Sequence, residues 1–225
     1  DLLLNSIQID STFAPAFSEL GYRTRVKTQN FLVGRSGLKQ VENYYFKALE
    51  LNYENLYALI EISAMHTELG KHDAAMKYIK KVFEINPNYA FAHFRLSYIY
   101  RFVGLLKESE KSGKRALELN PKNIRFRSIG DTYKYQGKYQ ESLDAFGIDT
   151  SAFSIAHQGE VYLRMGNLRL AEKYLEKVID NNTDTYPEFL AKVILAYIRD
   201  EKEEVLQVMQ KWEKTDIYDS ETLYT

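Results

Sequence analysis

The chain has 225 residues, of which 45% are hydrophobic and 27% charged, with a formal net charge of -1 and no cysteine. That length fits one domain or one repeat array, and no apolar run approaches the roughly 20 residues that span a bilayer. The near-zero charge excludes a global attraction to nucleic acid or an anionic membrane, and the missing thiols exclude disulfides, thiolate chemistry and Cys-bound zinc.

The opening stretch, Leu2 to Phe13, reads as the end of a second helix of a helix pair. It lacks the basic region of a signal peptide, and a cytoplasmic location is expected. A first helix is expected from Ala14. The next comparable start is Leu56, 42 residues on. The extra material lies between Tyr22 and Gly37 and carries Arg23, Arg25, Lys27 and Arg35 with no acid. About two added helical turns or an enlarged loop would hold it.

From there the chain becomes regular. Asn86-Pro87 and Asn120-Pro121 lie 34 residues apart, each after an apolar-acidic ending, and Leu49-Glu50-Leu51-Asn52-Tyr53 repeats that ending one period earlier. Proline there stops a helix, because it lacks an N–H and clashes with the preceding turn. Repeat starts fall near residues 14, 56, 90, 123, 152 and 187, with partial repeats over 1–13 and 216–225. The span from Asn123 to Ala152 is only 29 residues, so its second helix is expected to stop early, near Phe146-Gly147. Both ends read as severed mid-repeat, so the array is expected to be a piece of a longer protein.

Inside each period the same sizes return. Counted from the repeat start, position 15 is Gly70, Gly104, Gly137 and Gly166. Glycine there ends a first helix in the left-handed conformation that other residues resist. Position 8 is small in Ser63, Ser97, Gly130 and Gly159, and position 20 in Ala75, Ser109, Ser142 and Ala171. Small residues at both places let two antiparallel helices touch closely. Position 11 is Tyr100, Tyr133, Tyr162 and Tyr197, with His66 in one repeat.

This grammar resembles the tetratricopeptide repeat, carried best by Leu59, Ile62, Ser63, Ala75, Ile79, Val82 and Pro87. The resemblance implies an all-α fold, a right-handed superhelical solenoid of antiparallel helix pairs. It also implies that positions 2, 5, 6, 9, 12 and 13 of the first helices line a concave wall. Those positions hold Phe91, Phe94, Arg95, Tyr98, Arg101 and Phe102 in the repeat from Ala90. The next repeats contribute Arg127, Asp131, Lys134 and Tyr135, then His157, Glu160 and Arg164.

In the two central repeats four cations face one anion, Asp131, amid aromatic rings. Aromatics and arginine most often dominate binding energy, and arginine pairs carboxylates with two hydrogen bonds. The expected partner is therefore a protein or peptide with apolar anchors and acidic groups, and the chain is an interaction scaffold. The alternative is a regulatory or sensor region of a larger signalling enzyme or transcription regulator. No enzyme activity, cofactor, metal, nucleic acid or membrane partner is expected. No phosphate-binding loop, dinucleotide turn or His-Glu-x-x-His motif occurs. His157 beside Asp131 and Glu160 is read as a mixed-charge wall, and His66 and His93 as core residues.

Overall fold

The computed structural model describes residues 2–30, 35–179 and 185–213, without the side chains of 27–30, 35–36 and 211–213. The partial repeat expected over 216–225 lies outside the described residues. No strand occurs among them.

The packing divides the chain into two units, one ending at Pro121 and one opening at Lys122. The first unit holds α1 (Leu2–Ile9), α2 (Ala14–Asn30), α3 (Arg35–Leu51), α4 (Leu56–Glu68), α5 (His72–Ile85), α6 (Ala90–Phe102) and α7 (Leu106–Leu119). The second opens on a 3-10 helix, Ile124–Ser128, that runs into α8 (Ile129–Tyr135). It continues with α9 (Tyr139–Phe146), α10 (Ala152–Arg164), α11 (Leu168–Ile179), α12 (Tyr186–Ile198) and α13 (Lys202–Glu213).

Local chemistry sets these ends. The Asn55 side chain accepts the Ala58 N–H at 3.0 Å, capping α4. At the other end Gly70 takes φ +71°, which frees Lys71 N–H to reach His66 O at 2.8 Å and Gly70 N–H to reach Thr67 O at 3.0 Å. The two bonds satisfy carbonyls the helix would leave open. Gly104, Gly137 and Gly166 repeat the turn at φ +77°, +73° and +75°. In the last pair Asp200 takes the same role at φ +56°, without glycine's freedom.

Each hairpin closes through its small residues. Ser63 Oγ donates to Ala75 O at 3.0 Å, Ser109 Oγ to Ser97 O at 2.8 Å and Ser142 Oγ to Gly130 O at 2.7 Å. In the fourth hairpin Gly159 does this by having no side chain, since a Cβ would stand 2.6 Å from Leu175 Cγ. Neighbouring first helices then pack together, α4 on α6 in the first unit and α10 on α12 in the second. The first unit buries two apolar clusters, one around Leu59, Ile79 and Ile99, the other around Val41, Tyr45 and Ile62. The second buries Leu175, Val178, Leu190 and Leu195 together. Each such side chain contributes roughly 1.5–3 kcal/mol on leaving water.

The two irregular spacings have distinct forms. The 42-residue span is two long helices, α2 and α3 of 17 residues each, against 13 in α4. The 29-residue span has an 8-residue α9, where α5 and α7 have 14. The structure also departs from one continuous first helix after Asn123. The Asn123 side chain accepts the Arg125 N–H at 3.0 Å and starts a 3-10 turn instead.

Candidate functional site

In the first unit the expected wall positions lie on α6, and Arg95 among them meets an acid of α4. Glu61 of α4 is fully buried, with Arg25 Nη1 at 2.7 Å and Arg95 Nη2 at 3.3 Å. Arg25 also pairs with Glu68, about two turns further along the same face of α4. Tyr98 donates its hydroxyl to Glu68 at 3.0 Å. The guanidinium carbons of Arg95 and Arg101 stand 5.3 and 5.0 Å from the Tyr98 ring centre. The aromatic row continues along α6, with Phe91 edge-on to Phe94 at 6.4 Å and Tyr98 against Phe102 at 4.6 Å. Phe94, Arg95 and Arg101 are buried, whereas Phe91, Tyr98 and Phe102 are half-buried.

The second unit holds its own charge cluster. Lys134 Nζ lies 3.0 Å from Asp131 Oδ1 and 2.6 Å from Glu160 Oε2, with all three side chains buried. His157 turns Nδ1 toward both carboxylates, at 3.4 Å from Asp131 Oδ1 and 3.5 Å from Glu160 Oε2. Its ring stacks on Phe146 at 4.9 Å, 10° from parallel. Arg164 pairs with Glu160 at 3.0 Å and keeps 34% of its side chain exposed. Burial alone would raise the Glu160 carboxyl, but the Lys134 ammonium and His157 outweigh it and hold it well below the usual range. Burial likewise opposes the Lys134 charge, and Asp131 and Glu160 hold it above the ordinary lysine value.

Arg127 reaches Asp149 at 3.0 Å and lies 5.0 Å from the Phe153 ring centre. Burial would raise the Asp149 carboxyl, but hydrogen bonds from Ser151 and the Arg127 charge lower it. Asp149 follows the shortened α9, so the missing turns bring this acid beside Arg127.

The expected wall residues are thus placed, Tyr135 among them with Lys134 Nζ and the Arg164 guanidinium carbon 5.0 and 5.8 Å from its ring centre, but the cation excess read from the sequence is largely matched inside the protein. Arg25, Glu68 and Asp149 were not among them. Arg25 stood in a basic run without acids, and only the stacking of α2 beside α4 gives it Glu61 and Glu68. Phe91, Tyr98, Phe102, Arg127 and Arg164 are among the members of these walls that stay partly exposed. Lys134 fills the place between the two carboxylates that a bound cation would take. Among the described residues no group of three or more His, Asp and Glu is arranged to hold a metal ion. His66 is buried in the core, while His72 and His93 are half-buried, His93 against Phe83 at 4.8 Å.

The family that repeats these small and turn positions is the tetratricopeptide repeat, matched over residues 56–89, 92–123 and 154–185. The chain carries tetratricopeptide repeats. No curated protein sequence matches it. Among solved structures, a tetratricopeptide repeat protein from Parabacteroides merdae superposes with a TM-score of 0.66 at 21% identity, covering 97% of this chain and 86% of that one. A thermophilic TPR protein of Thermus thermophilus gives 0.64 at 17% identity, over 90% of this chain and 98% of that one. The human IFIT1 dimer with PPP-AAAA gives 0.74 at 16% identity, and this chain spans 53% of its length. The shared fold is an all-α solenoid of tetratricopeptide helix pairs. Among the described residues no helix is long and apolar enough to cross a membrane.

Proposed function

We propose that the first-helix faces of these tetratricopeptide repeats bind a segment of another protein. An array of such repeats is a protein-interaction scaffold. The observation that carries it is the α6 row of the first unit. Phe91, Tyr98 and Phe102 are only half-buried, while the buried Arg95 and Arg101 lie against the Tyr98 ring. Rigid aromatics held over a buried polar support lose little freedom on binding, and such residues form hot spots. On this face the bound segment contributes apolar anchors.

On the second unit's face Arg164 and Arg127 keep 34% and 20% of their side chains exposed. They are the cations able to take a carboxylate from a partner without uncovering a buried charge. Arg95 and Lys134 act instead as supports, because each is buried among protein carboxylates.

The test selects short segments on the wild-type protein from a displayed peptide library and measures their Kd by calorimetry. Tyr98→Ala is expected to weaken segments bound at the first unit at least about tenfold, or about 1.4 kcal/mol. Tyr53→Ala, an exposed ring away from this row, leaves them unchanged. Full affinity retained in Tyr98→Ala and in Arg164→Ala for every selected segment overturns the proposal.

A further inference from the structure

The first unit holds a histidine where the repeat pattern places tyrosine. His66 occupies the position of Tyr100, Tyr133 and Tyr162. It is 8% exposed, and neither ring nitrogen has a hydrogen-bond partner. The ring meets Tyr78 of α5 edge-on at 5.5 Å. Glu42 of α3 reaches within 4.0 Å of Nε2 and keeps a third of its side chain in water, at 34%. Lys71, in the turn between α4 and α5, adds like charge nearby. Glu42, Lys71 and Tyr78 are the ionisable groups set against the ring from α3, the turn and α5.

We propose that His66 is an acid-sensitive joint of the first unit, where uptake of a proton loosens α4 from α3 and α5. A neutral imidazole is tolerated in this site as a flat ring beside Tyr78. An imidazolium there loses its hydration and meets only one half-solvated carboxylate at long range. Burial first, and Lys71 second, hold the pKa of His66 below its ordinary value, against the smaller opposite pull of Glu42. The folded chain therefore binds this proton less readily than the unfolded chain. Stability is lost as pH falls through the unfolded value of about 6.5, and the loss levels off below the folded one. Tyr78 stays neutral throughout, its pKa raised by burial and by Glu42.

The experiment compares thermal unfolding of the wild type and His66→Tyr between pH 7.5 and 5.0. Tyrosine is the residue the other repeats already accommodate, and the remaining histidines are common to both proteins. The wild type is expected to lose at least about 2 °C more in Tm than the variant over that range. Equal losses overturn the proposal. Should His66→Tyr fail to fold, an NMR titration of the His66 ring in the wild type decides: a midpoint below the ordinary histidine value supports the joint, and one at or above it refutes it.

Discussion

Glu61→Gln isolates the polar support under the first unit's wall. The substitution keeps the side chain's shape and removes one charge from a residue with no exposed surface. Arg25 and Arg95, each 6% exposed, then lose their shared carboxylate. Breaking a buried pair costs about 3–5 kcal/mol, because a charge is left uncompensated. Arg25 keeps Glu68, and the glutamine oxygen still accepts one hydrogen bond, which offsets part of that loss. The net expectation is about 2–4 kcal/mol. At about 2–4 °C per kcal/mol for a chain of this size, Tm falls by roughly 4–16 °C. Urea unfolding followed by circular dichroism measures it, in low and high salt. A loss below about 1 kcal/mol, or one that raised salt abolishes, would show that these pairs behave as surface bridges. The buried ion pairs would then give the α6 row no support.

Other substitutions test other levels. Gly159→Val drives a side chain into Leu175, which is fully buried and has nowhere to retreat, so stability falls by about 1–3 kcal/mol in urea unfolding. Gly137→Ala meets nothing within 4 Å, yet its φ of +73° makes it cost about 1 kcal/mol through the backbone alone. Asp200→Gly relieves the same conformation at φ +56° and is expected to raise Tm slightly, by about 1–3 °C. Lys134→Met leaves Asp131 and Glu160 as buried like charges and destabilises by about 3–5 kcal/mol at pH 7. In the wild type, the depressed Glu160 pKa means stability is lost as pH falls below about 4.3. In Lys134→Met that acid loss shrinks, because the ammonium that chiefly holds the folded Glu160 carboxyl below its unfolded value is gone. Urea midpoints at pH 7 and pH 3 compare the two.

Much of the fold was legible because it is written in size and backbone freedom, which are properties of single positions. Gly70, Gly104, Gly137 and Gly166 all adopt the left-handed turn their spacing implied. Ser63, Ser97, Gly130 and Gly159 all lie at close helix crossings. The short α9 followed from counting residues. The 3-10 turn before α8 did not, because it depends on one side chain bonding two residues ahead. The charge pattern was least legible. Arg25 and Glu61 are 36 residues apart, and which acid meets which base depends on how helices register in space. Counting cations along one stripe therefore gave an excess that the folded protein largely cancels.

The serine-to-carbonyl bonds that close the hairpins each join residues 12 apart in the chain. Contacts of so short a reach cost little loop entropy and tend to form early. Assembly of this protein is thus expected to begin at several hairpins independently and to spread between neighbours. A lesion such as Gly159→Val should slow growth through its own hairpin while leaving nucleation at Ser63–Ala75 intact.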